Sequence, residues 1–214
     1  MPADTAWLDV AAPFRAEQLE VRIASDVSTR YRERQASLTP IVALIAEQYQ
    51  RQPGNYLAFF SSFEYLQQVA GLLAERHPDV PLWAQAPGMD EEARQAFLAR
   101  FVAHGQGVGF AVLGGAFGEG VDLPGTRLIG AFVATLGLPQ VNPVNEQFKQ
   151  RLGRQFGAGF DYAYLYPGVR KVIQAAGRVI RGDHDRGVLV LIDERFADPR
   201  VQQMFPTWWR TAGG

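Results

Sequence analysis

The chain has 214 residues, of which 47% are hydrophobic and 20% charged, so it can bury one sizeable core and is too apolar to be disordered. Lysine and arginine number 21 against 22 acidic residues, a net charge of −1 that provides no global basic field for nucleic acid. Cysteine is absent, which excludes disulfides, thiolate metal sites, iron–sulfur clusters and a cysteine nucleophile within this chain. No apolar run reaches the roughly 18 residues of a membrane span, so we expect a soluble, cytoplasmic protein with no membrane partner.

The predicted elements become regular after residue 38. Before it, residues 21–23 alternate like a short strand and residues 25–34 resemble a polar loop, while Thr39-Pro40 is expected to begin a helix that ends near Gln50. Short apolar strands then alternate with amphipathic helices. The predicted strands are 56–60, 80–83, 108–113, 128–133 and 187–192, and the predicted helices are 63–73, 89–101, 147–156 and 167–180. This alternation predicts an α/β fold, a parallel sheet with helices on both faces.

The strongest local signal is the sequence Gln-Ala-Ala-Gly-Arg-Val-Ile-Arg, which begins at Gln174. If the helix predicted for 167–180 is continuous, a rotation of about 100° per residue places Gln174, Arg178 and Arg181 on one stripe, flanked by Gly177. Two guanidinium groups at this spacing repel each other unless an anion lies between them, and phosphate is a suitable anion. A solvated helix face whose arginines pair with nearby carboxylates would show the same pattern.

A glycine-rich segment, residues 114–125, directly follows a predicted strand. Glycine permits left-handed backbone and the close approach of a ligand, and ligands bind at the carboxyl ends of strands in open α/β sheets, where we expect Glu119 and Asp122. The G-x-G-x-x-G spacing is absent, and Pro124 breaks the helix that a pyrophosphate needs, so no dinucleotide site is predicted. A plain glycine-rich turn also explains the composition.

The sequence lacks the parts that usually hold ATP and its metal. It has no Gly-Lys-Ser/Thr step, and therefore no phosphate-binding P-loop, and no Asp-Glu-x-His motif for magnesium. His77, His104 and His184 show no ligand spacing, so no metal site is predicted in this chain. If the two arginines meet a nucleotide, the rest of its site lies on another polypeptide segment.

Three segments, taken in order, resemble motifs IV, V and VI of the superfamily 2 DNA helicases, with most similarity to the DinG/XPD-like branch. These segments are Phe-Phe-Ser-Ser-Phe at 59–63, Gly-Glu-Gly-Val-Asp-Leu-Pro-Gly at 118–125, and Gln-x-x-Gly-Arg-x-Ile-Arg-Gly at 174–182. Ala-Pro-Phe at 12–14 and Asp-Glu-Arg-Phe at 193–196 also agree with the family. The resemblance implies a C-terminal RecA-like helicase domain at 39–214, preceded by a leading segment at 1–38.

The family has two RecA-like lobes that hold ATP between them, with single-stranded DNA running across both, and this chain resembles only the second lobe. By this resemblance, Arg178 and Arg181 would act as arginine fingers on the ATP phosphates. The other residues implied to contact the nucleotide are Gln174, Gly177, Glu119, Gly120 and Asp122. Those implied to contact the DNA backbone are Ser61, Ser62 and Phe63.

The resemblance assigns ATP and Mg to the full-length enzyme, whose N-terminal P-loop lobe is missing from this chain. An iron–sulfur cluster could be held only by that missing lobe. The implied partners are single-stranded DNA and the P-loop lobe of the same protein. We therefore expect this chain alone to be inactive as an ATPase and as a helicase.

Two alternatives stay open at the level of the sequence. The chain could be a stand-alone helicase-like module that binds nucleic acid or a protein without ATPase activity. A Rossmann-like enzyme acting on a small molecule is disfavoured, because the dinucleotide fingerprint and a nucleophile–base pair are both missing. The stretch 142–160, which carries Lys149, Arg151 and Arg154, is the densest basic patch and fits either a phosphate track or a solvated helix face.

Overall fold

The centre of the fold is a seven-stranded sheet. The computed structural model describes residues 13–115, 117 and 122–211. The strands are β1 (Leu19–Ala24), β2 (Asn55–Phe60), β3 (Leu82–Ala84), β4 (Gly107–Val112), β5 (Gly130–Ala134), β6 (Gly187–Ile192) and β7 (Arg210–Thr211). They lie in the order β3-β4-β2-β5-β6-β1-β7, and all neighbours pair in parallel. Every residue of β2 is buried, as expected for a strand covered on both faces.

Helices cover both faces of this sheet and enclose two apolar cores. The helices are α1 (Arg34–Arg51), α2 (Phe63–Arg76), α3 (Glu91–Ala99), α4 (Pro143–Phe156), α5 (Tyr166–Ala176) and α6 (Pro199–Gln202). On one face α1 and α2 bury residues such as Ile45 and Leu66 against the sheet. On the other face α3 and α5 bury Phe97 and Val172. The predicted α/β architecture, a parallel sheet with helices on both faces, is confirmed.

The first described residues belong to the sheet as well. β1 lies between β6 and β7, and its register begins with Leu19 opposite Gly187. Phe14 packs against Trp208 with ring centroids 5.3 Å apart. Residues 19–24 of the predicted leading segment therefore share one sheet with residues of the 39–214 region.

The start of α1 differs from the prediction. Thr39-Pro40 was expected to begin the helix, but α1 begins at Arg34 and Pro40 lies inside it. Proline removes the hydrogen bond to the carbonyl of residue 36, which is Ala36 at an exposed position where water can replace the donor. Ser37 is buried and its hydroxyl donates to the Arg34 carbonyl over 2.7 Å, so the extra turn is tied down locally.

Helix α4 also begins earlier than predicted, because Asn142 caps it. The Asn142 side chain accepts a hydrogen bond from the Asn145 N–H at 2.8 Å, and Pro143 occupies the first helical turn. The helix rests on a π-helical segment, Asp161–Leu165, which leads directly into α5. No helix in the described part of the chain combines the length and the apolar character that a bilayer span requires.

Helix α5 ends at Ala176, so the prediction of one continuous helix to residue 180 is wrong. Glycine at 177 weakens helix propagation, and the next turn tightens. The Arg178 N–H donates to Ala175 and the Val179 N–H to Ala176, both three residues back in the chain. Arg181 is therefore on a loop rather than on the helical stripe with Gln174.

Candidate nucleotide and nucleic-acid sites

Arg181 and Asp122, which are distant in sequence, meet at the surface. The Arg181 Nε lies 3.5 Å from the Asp122 Oδ1. The side chain of Arg181 is 34% exposed and that of Asp122 is 75% exposed, so solvent weakens the attraction. Two of the predicted nucleotide-binding residues are thus brought together in a position that a larger anion can reach.

The loop that carries Arg181 is held by hydrogen bonds on both sides. The Asp185 Oδ2 accepts hydrogen bonds from the backbone N–H groups of Arg181 and Gly182, both at 2.8 Å. The buried side chain of Gln18 donates to the carbonyls of Gly182 and Asp185, at 2.9 and 3.2 Å. Because both partners fix the main chain, the Arg181 side chain starts from a defined position.

This loop lies near the amino-terminal ends of β1 and β6. Gln18 immediately precedes β1, and the loop runs into β6 at Gly187. Asp122 was expected at the carboxyl end of β4, but it contacts Arg181 beside the amino ends of β1 and β6. The reason is that the segment after β4 has to travel back along the sheet before β5 begins at Gly130.

The remaining predicted nucleotide contacts lie around the end of α5. Gln174 is half-buried on α5, Gly177 is exposed where the helix ends, and Arg178 is half-buried in the following turn. Gln174 lines a groove of about 460 Å³ together with Arg170 and Lys171. Glu119 and Gly120 lie outside the described residues, so their placement stays a prediction.

The glycine-rich segment begins beside α5. Gly114 has a φ of +77°, and a Cβ there would lie 3.2 Å from the Lys171 Cδ. Glycine thus provides both the left-handed backbone and the close approach to α5 at this position. The beginning of the segment at Gly114 and its later residue Asp122 contact α5 and the loop after it, respectively.

The three predicted DNA-binding residues follow the carboxyl end of β2, whereas the loop of Arg181 lies near the amino ends of β1 and β6. Ser62 caps α2, since its hydroxyl accepts a hydrogen bond from the Tyr65 N–H at 3.3 Å. Ser61 is exposed and Phe63 is half-buried. The first turn of α2 presents backbone N–H groups and the positive end of the helix dipole, which suit a phosphate.

Arg34 joins this group, and sequence analysis missed it. Its Nη2 donates to the Ser61 Oγ at 2.8 Å, and its guanidinium lies 5.1 Å from the ring centre of Tyr31 and 5.2 Å from that of Tyr65. Tyr31 is 80% exposed. The predicted polar loop at 25–34 contained both residues, but periodicity alone could not show that they fold back over the end of β2.

A buried carboxylate connects the ends of β6 and β1, and it too had no predicted role. Asp193 is fully buried and accepts hydrogen bonds from the Thr29 N–H at 2.9 Å, from the Thr29 hydroxyl, and from the Arg195 Nε at 2.5 Å. Burial raises the pKa of Asp193, but the bonds from Arg195 and Thr29 outweigh it and hold the pKa below its ordinary value. The sequence feature that could have drawn attention to Asp193 is the Asp-Glu-Arg-Phe segment at 193–196, which agrees with the family.

The described residues contain no group of three or more histidine, aspartate and glutamate side chains arranged to hold a metal ion. The residues predicted to contact the nucleotide include the cations Arg178 and Arg181. Among the described residues, Asp122 is the carboxylate that pairs with Arg181. Such a donor set suits the phosphates of a nucleotide rather than the ligation of a divalent cation.

Comparison with known proteins agrees with this geometry. The family model described as the helicase C-terminal domain matches residues 45–212. A probable ATP-dependent helicase of Methanocaldococcus jannaschii is 32% identical over 161 residues, covering 68% of this chain and 24% of the relative. The ATP-dependent helicase DinG of Mycobacterium tuberculosis is 25% identical over 219 residues, covering 99% of this chain and 32% of the relative. The chain thus spans about a quarter to a third of the length of these relatives.

Solved structures support the fold. A structure titled as the XPD apo form superposes with a TM-score of 0.72 at 19% identity, covering 87% of this chain and 38% of that one. The Xpd4 structure of S. tokodaii superposes with a TM-score of 0.67 at 15% identity, covering 99% of this chain and 41% of that one.

Proposed function

Because the chain belongs to the helicase C-terminal domain family, we propose that it is the second motor lobe of an ATP-dependent DNA helicase of the DinG/XPD-like branch. In this role it supplies Arg178 and Arg181 to ATP held by an N-terminal P-loop lobe. It also supplies part of the track for single-stranded DNA. Because its sequence has no P-loop, the lobe by itself is inactive.

The observation that carries this proposal is the pinned loop after α5. Asp185 and Gln18 fix its backbone, while the Arg181 side chain extends to the surface beside Asp122. A preorganised cation is what stabilises charge that develops on a transferred phosphoryl group, since no reorganisation is then required during the reaction.

The chemistry follows from the charges. The Arg181–Asp122 pair is long and solvent-exposed, so a phosphate group with more than one negative charge can compete for the guanidinium. Arg178 lies between Gln174 and Arg181 in the chain and adds a second cation at the end of α5. The magnesium that accompanies ATP would be held by carboxylates of the P-loop lobe.

The proposed DNA contacts lie at the other edge of the sheet, at the start of α2. Ser61 and Arg34 offer a hydroxyl and a guanidinium to backbone phosphates, and the exposed ring of Tyr31 is available to stack on a base. With the nucleotide at one edge and DNA at the other, closure of the lobes around ATP can shift the grip on the strand.

Substitution of the arginines in the full-length protein tests the proposal. Arg178→Ala and Arg181→Ala are each expected to reduce the kcat of DNA-stimulated ATP hydrolysis by about 10³-fold or more, the lower end of what an arginine finger contributes. The dissociation constant of a fluorescent ATP analogue should change little. Arg94→Ala, on the outer side of α3 where it pairs with Glu91, is the matched control and should turn over ATP normally. Normal turnover by both test variants would refute the proposed role.

The isolated 214-residue chain provides a second test. We expect it to show no ATP hydrolysis with or without single-stranded DNA, because the P-loop is missing from its sequence. Measurable DNA-stimulated hydrolysis by the pure chain would contradict the assignment as a second lobe. If the full-length protein hydrolyses no ATP while the chain still binds nucleic acid, the stand-alone binding module becomes the better description.

A further inference from the structure

Helix α4 exposes an apolar stripe that the proposed function does not use. None of its residues is buried, and all of them lie in the described part of the chain. Val144, Phe148, Leu152 and Phe156 follow one another at intervals of four residues, the spacing that keeps side chains on neighbouring turns together. A helix with such a stripe normally buries it, yet here the stripe is left outside the core.

Aromatic rings continue the stripe from α4 to α5. The rings of Phe156 and Tyr162 lie 5.2 Å apart, and so do those of Tyr162 and Tyr166. We call the surface formed by Val144, Phe148, Phe156, Tyr162 and Tyr166 the α4–α5 ridge. Its members are between 43% and 60% exposed.

The ridge has the size of a functional patch. With roughly 200 Å² of surface for each aromatic side chain, its five members expose on the order of 400–500 Å². That is about half of what one partner contributes to a standard protein interface. The ridge is therefore sufficient for one part of a larger contact, and too small to be a stable interface alone.

The ridge is continuous with the candidate nucleotide site. Tyr162 and Tyr166 line the same groove as Arg170, Lys171 and Gln174. Along α5, residues 166, 170 and 174 follow at four-residue intervals, so the same side of the helix carries a tyrosine at one end and the nucleotide-site glutamine at the other. Anything that approaches Gln174 from outside also approaches Tyr166.

We propose that the α4–α5 ridge is a docking surface for the P-loop lobe of the same protein, an inference that rests on the proposed function. The nucleotide site at the end of α5 needs that lobe to be complete, and the ridge extends this site along the same helix. The relatives are about three times as long as this chain, so a partner within the same polypeptide is available.

The α4 end of the ridge, at Val144 and Phe148, suits a protein surface better than a nucleic acid. Val144 and Phe148 form an uninterrupted apolar step on α4, which provides neither the charge nor the hydrogen bonds that a phosphate backbone needs. Arg151 and Arg170 flank the ridge, so the docking surface of the P-loop lobe is expected to be apolar in the middle with carboxylates at its rim.

Site-specific photo-crosslinking in the purified full-length protein tests this inference. The photoreactive amino acid benzoylphenylalanine replaces Tyr162 in one variant and Tyr166 in another. Each variant is irradiated in the presence of a non-hydrolysable ATP analogue and a single-stranded oligonucleotide. The matched control is the same replacement at Tyr31, which is 80% exposed beside the proposed DNA track. We expect crosslinks from positions 162 and 166 to peptides of the P-loop lobe, and fewer or none from position 31.

Crosslinks from the ridge to the oligonucleotide, to a second copy of the chain, or to no peptide above the control would each overturn the proposal. A measurement of ATP hydrolysis complements the crosslinking experiment. The double substitution Tyr162→Ser, Tyr166→Ser should lower kcat/KM for ATP by about tenfold, as expected when aromatic residues that anchor an interface are lost. The two proposals fail separately. If Arg178→Ala loses activity but positions 162 and 166 crosslink to something other than the P-loop lobe, only the docking surface is refuted. If these positions crosslink to the P-loop lobe but Arg178→Ala keeps normal activity, only the arginine-finger role is refuted.

Discussion

Replacing the buried carboxylate at the end of β6 should destabilise the domain strongly. In the substitution Asp193→Asn the side chain keeps its size but loses its charge and one acceptor oxygen. The wild-type carboxylate accepts bonds from the Thr29 N–H and hydroxyl, and from the Arg195 N–H, Nε and Nη2. An asparagine amide would turn an NH₂ group toward these donors and leave the Arg195 guanidinium without its counter-charge.

The magnitude follows from the burial of the two partners. Removing one partner of a buried ion pair costs about 3–5 kcal/mol. Asp193 is fully buried whereas the Arg195 side chain is 20% exposed, so water can partly solvate the remaining cation. The lower end, about 3 kcal/mol, is therefore expected, which lowers the Tm of a domain of this size by roughly 6–12 °C.

Thermal unfolding of the 214-residue chain, followed by circular dichroism at pH 7, measures this shift. The matched control is Asp198→Asn, which makes the same change at an exposed carboxylate that lies 3.8 Å from Arg200 and caps α6. Since asparagine also caps helices and an exposed pair contributes little, the control should lose less than about 1 kcal/mol. Equal Tm values for Asp193→Asn and the wild type would refute the reasoning.

The same carboxylate predicts a pH dependence. Its pKa is lower in the folded state than in the unfolded chain, so its contribution is fully present above about pH 4, the ordinary pKa of aspartate. The contribution disappears as the pH falls through the lowered pKa, since the folded protein must then take up the proton. The Tm difference between wild type and Asp193→Asn should thus narrow below about pH 4. A difference that stays constant down to the lowest accessible pH would contradict this assignment.

Two further outcomes are expected around α4. A Cβ at position 159 would collide with the Lys149 carbonyl oxygen, so Gly159→Ala should push α4 away from the residues that lead into the π-helical segment and increase proteolysis there. Gly71→Ala, where a Cβ meets nothing within 4 Å on α2, is the control and should stabilise by about 0.5–1 kcal/mol. The hydrogen bond from Tyr164, followed by that from Lys149, holds the pKa of Glu146 below its ordinary value. Tyr164→Phe should therefore raise that pKa in a carboxyl NMR titration, and an unchanged value would show that the bond is not formed in solution.

The sheet could be predicted from local patterns because a strand that is buried on both faces must be apolar throughout. Residues 187–192 and 56–60 satisfy this rule, and β6 and β2 match them to within one residue. Helix ends were harder to predict. Pro40 is a typical start signal, but the apolar residues on either side of it are held by the core and carry the helix past it.

The candidate site likewise has residues that the sequence could select and residues that it could not. Residue types and the order of the motifs selected Gln174, Arg178 and Arg181 as candidates, and their contact with a nucleotide stays a prediction. The same reasoning could not find Arg34, whose partner Ser61 is supplied by another element.

What the sequence by itself determined is the layered parallel sheet, through the periodicity of apolar residues, and the identity of the cationic residues proposed to reach the nucleotide. Only the tertiary structure decided that Asp122 comes to Arg181 and that Gln18 fixes the loop after α5. The physical reason is range: hydrophobic periodicity acts over a few neighbouring residues, whereas each of these contacts depends on where separate segments meet after the core has formed.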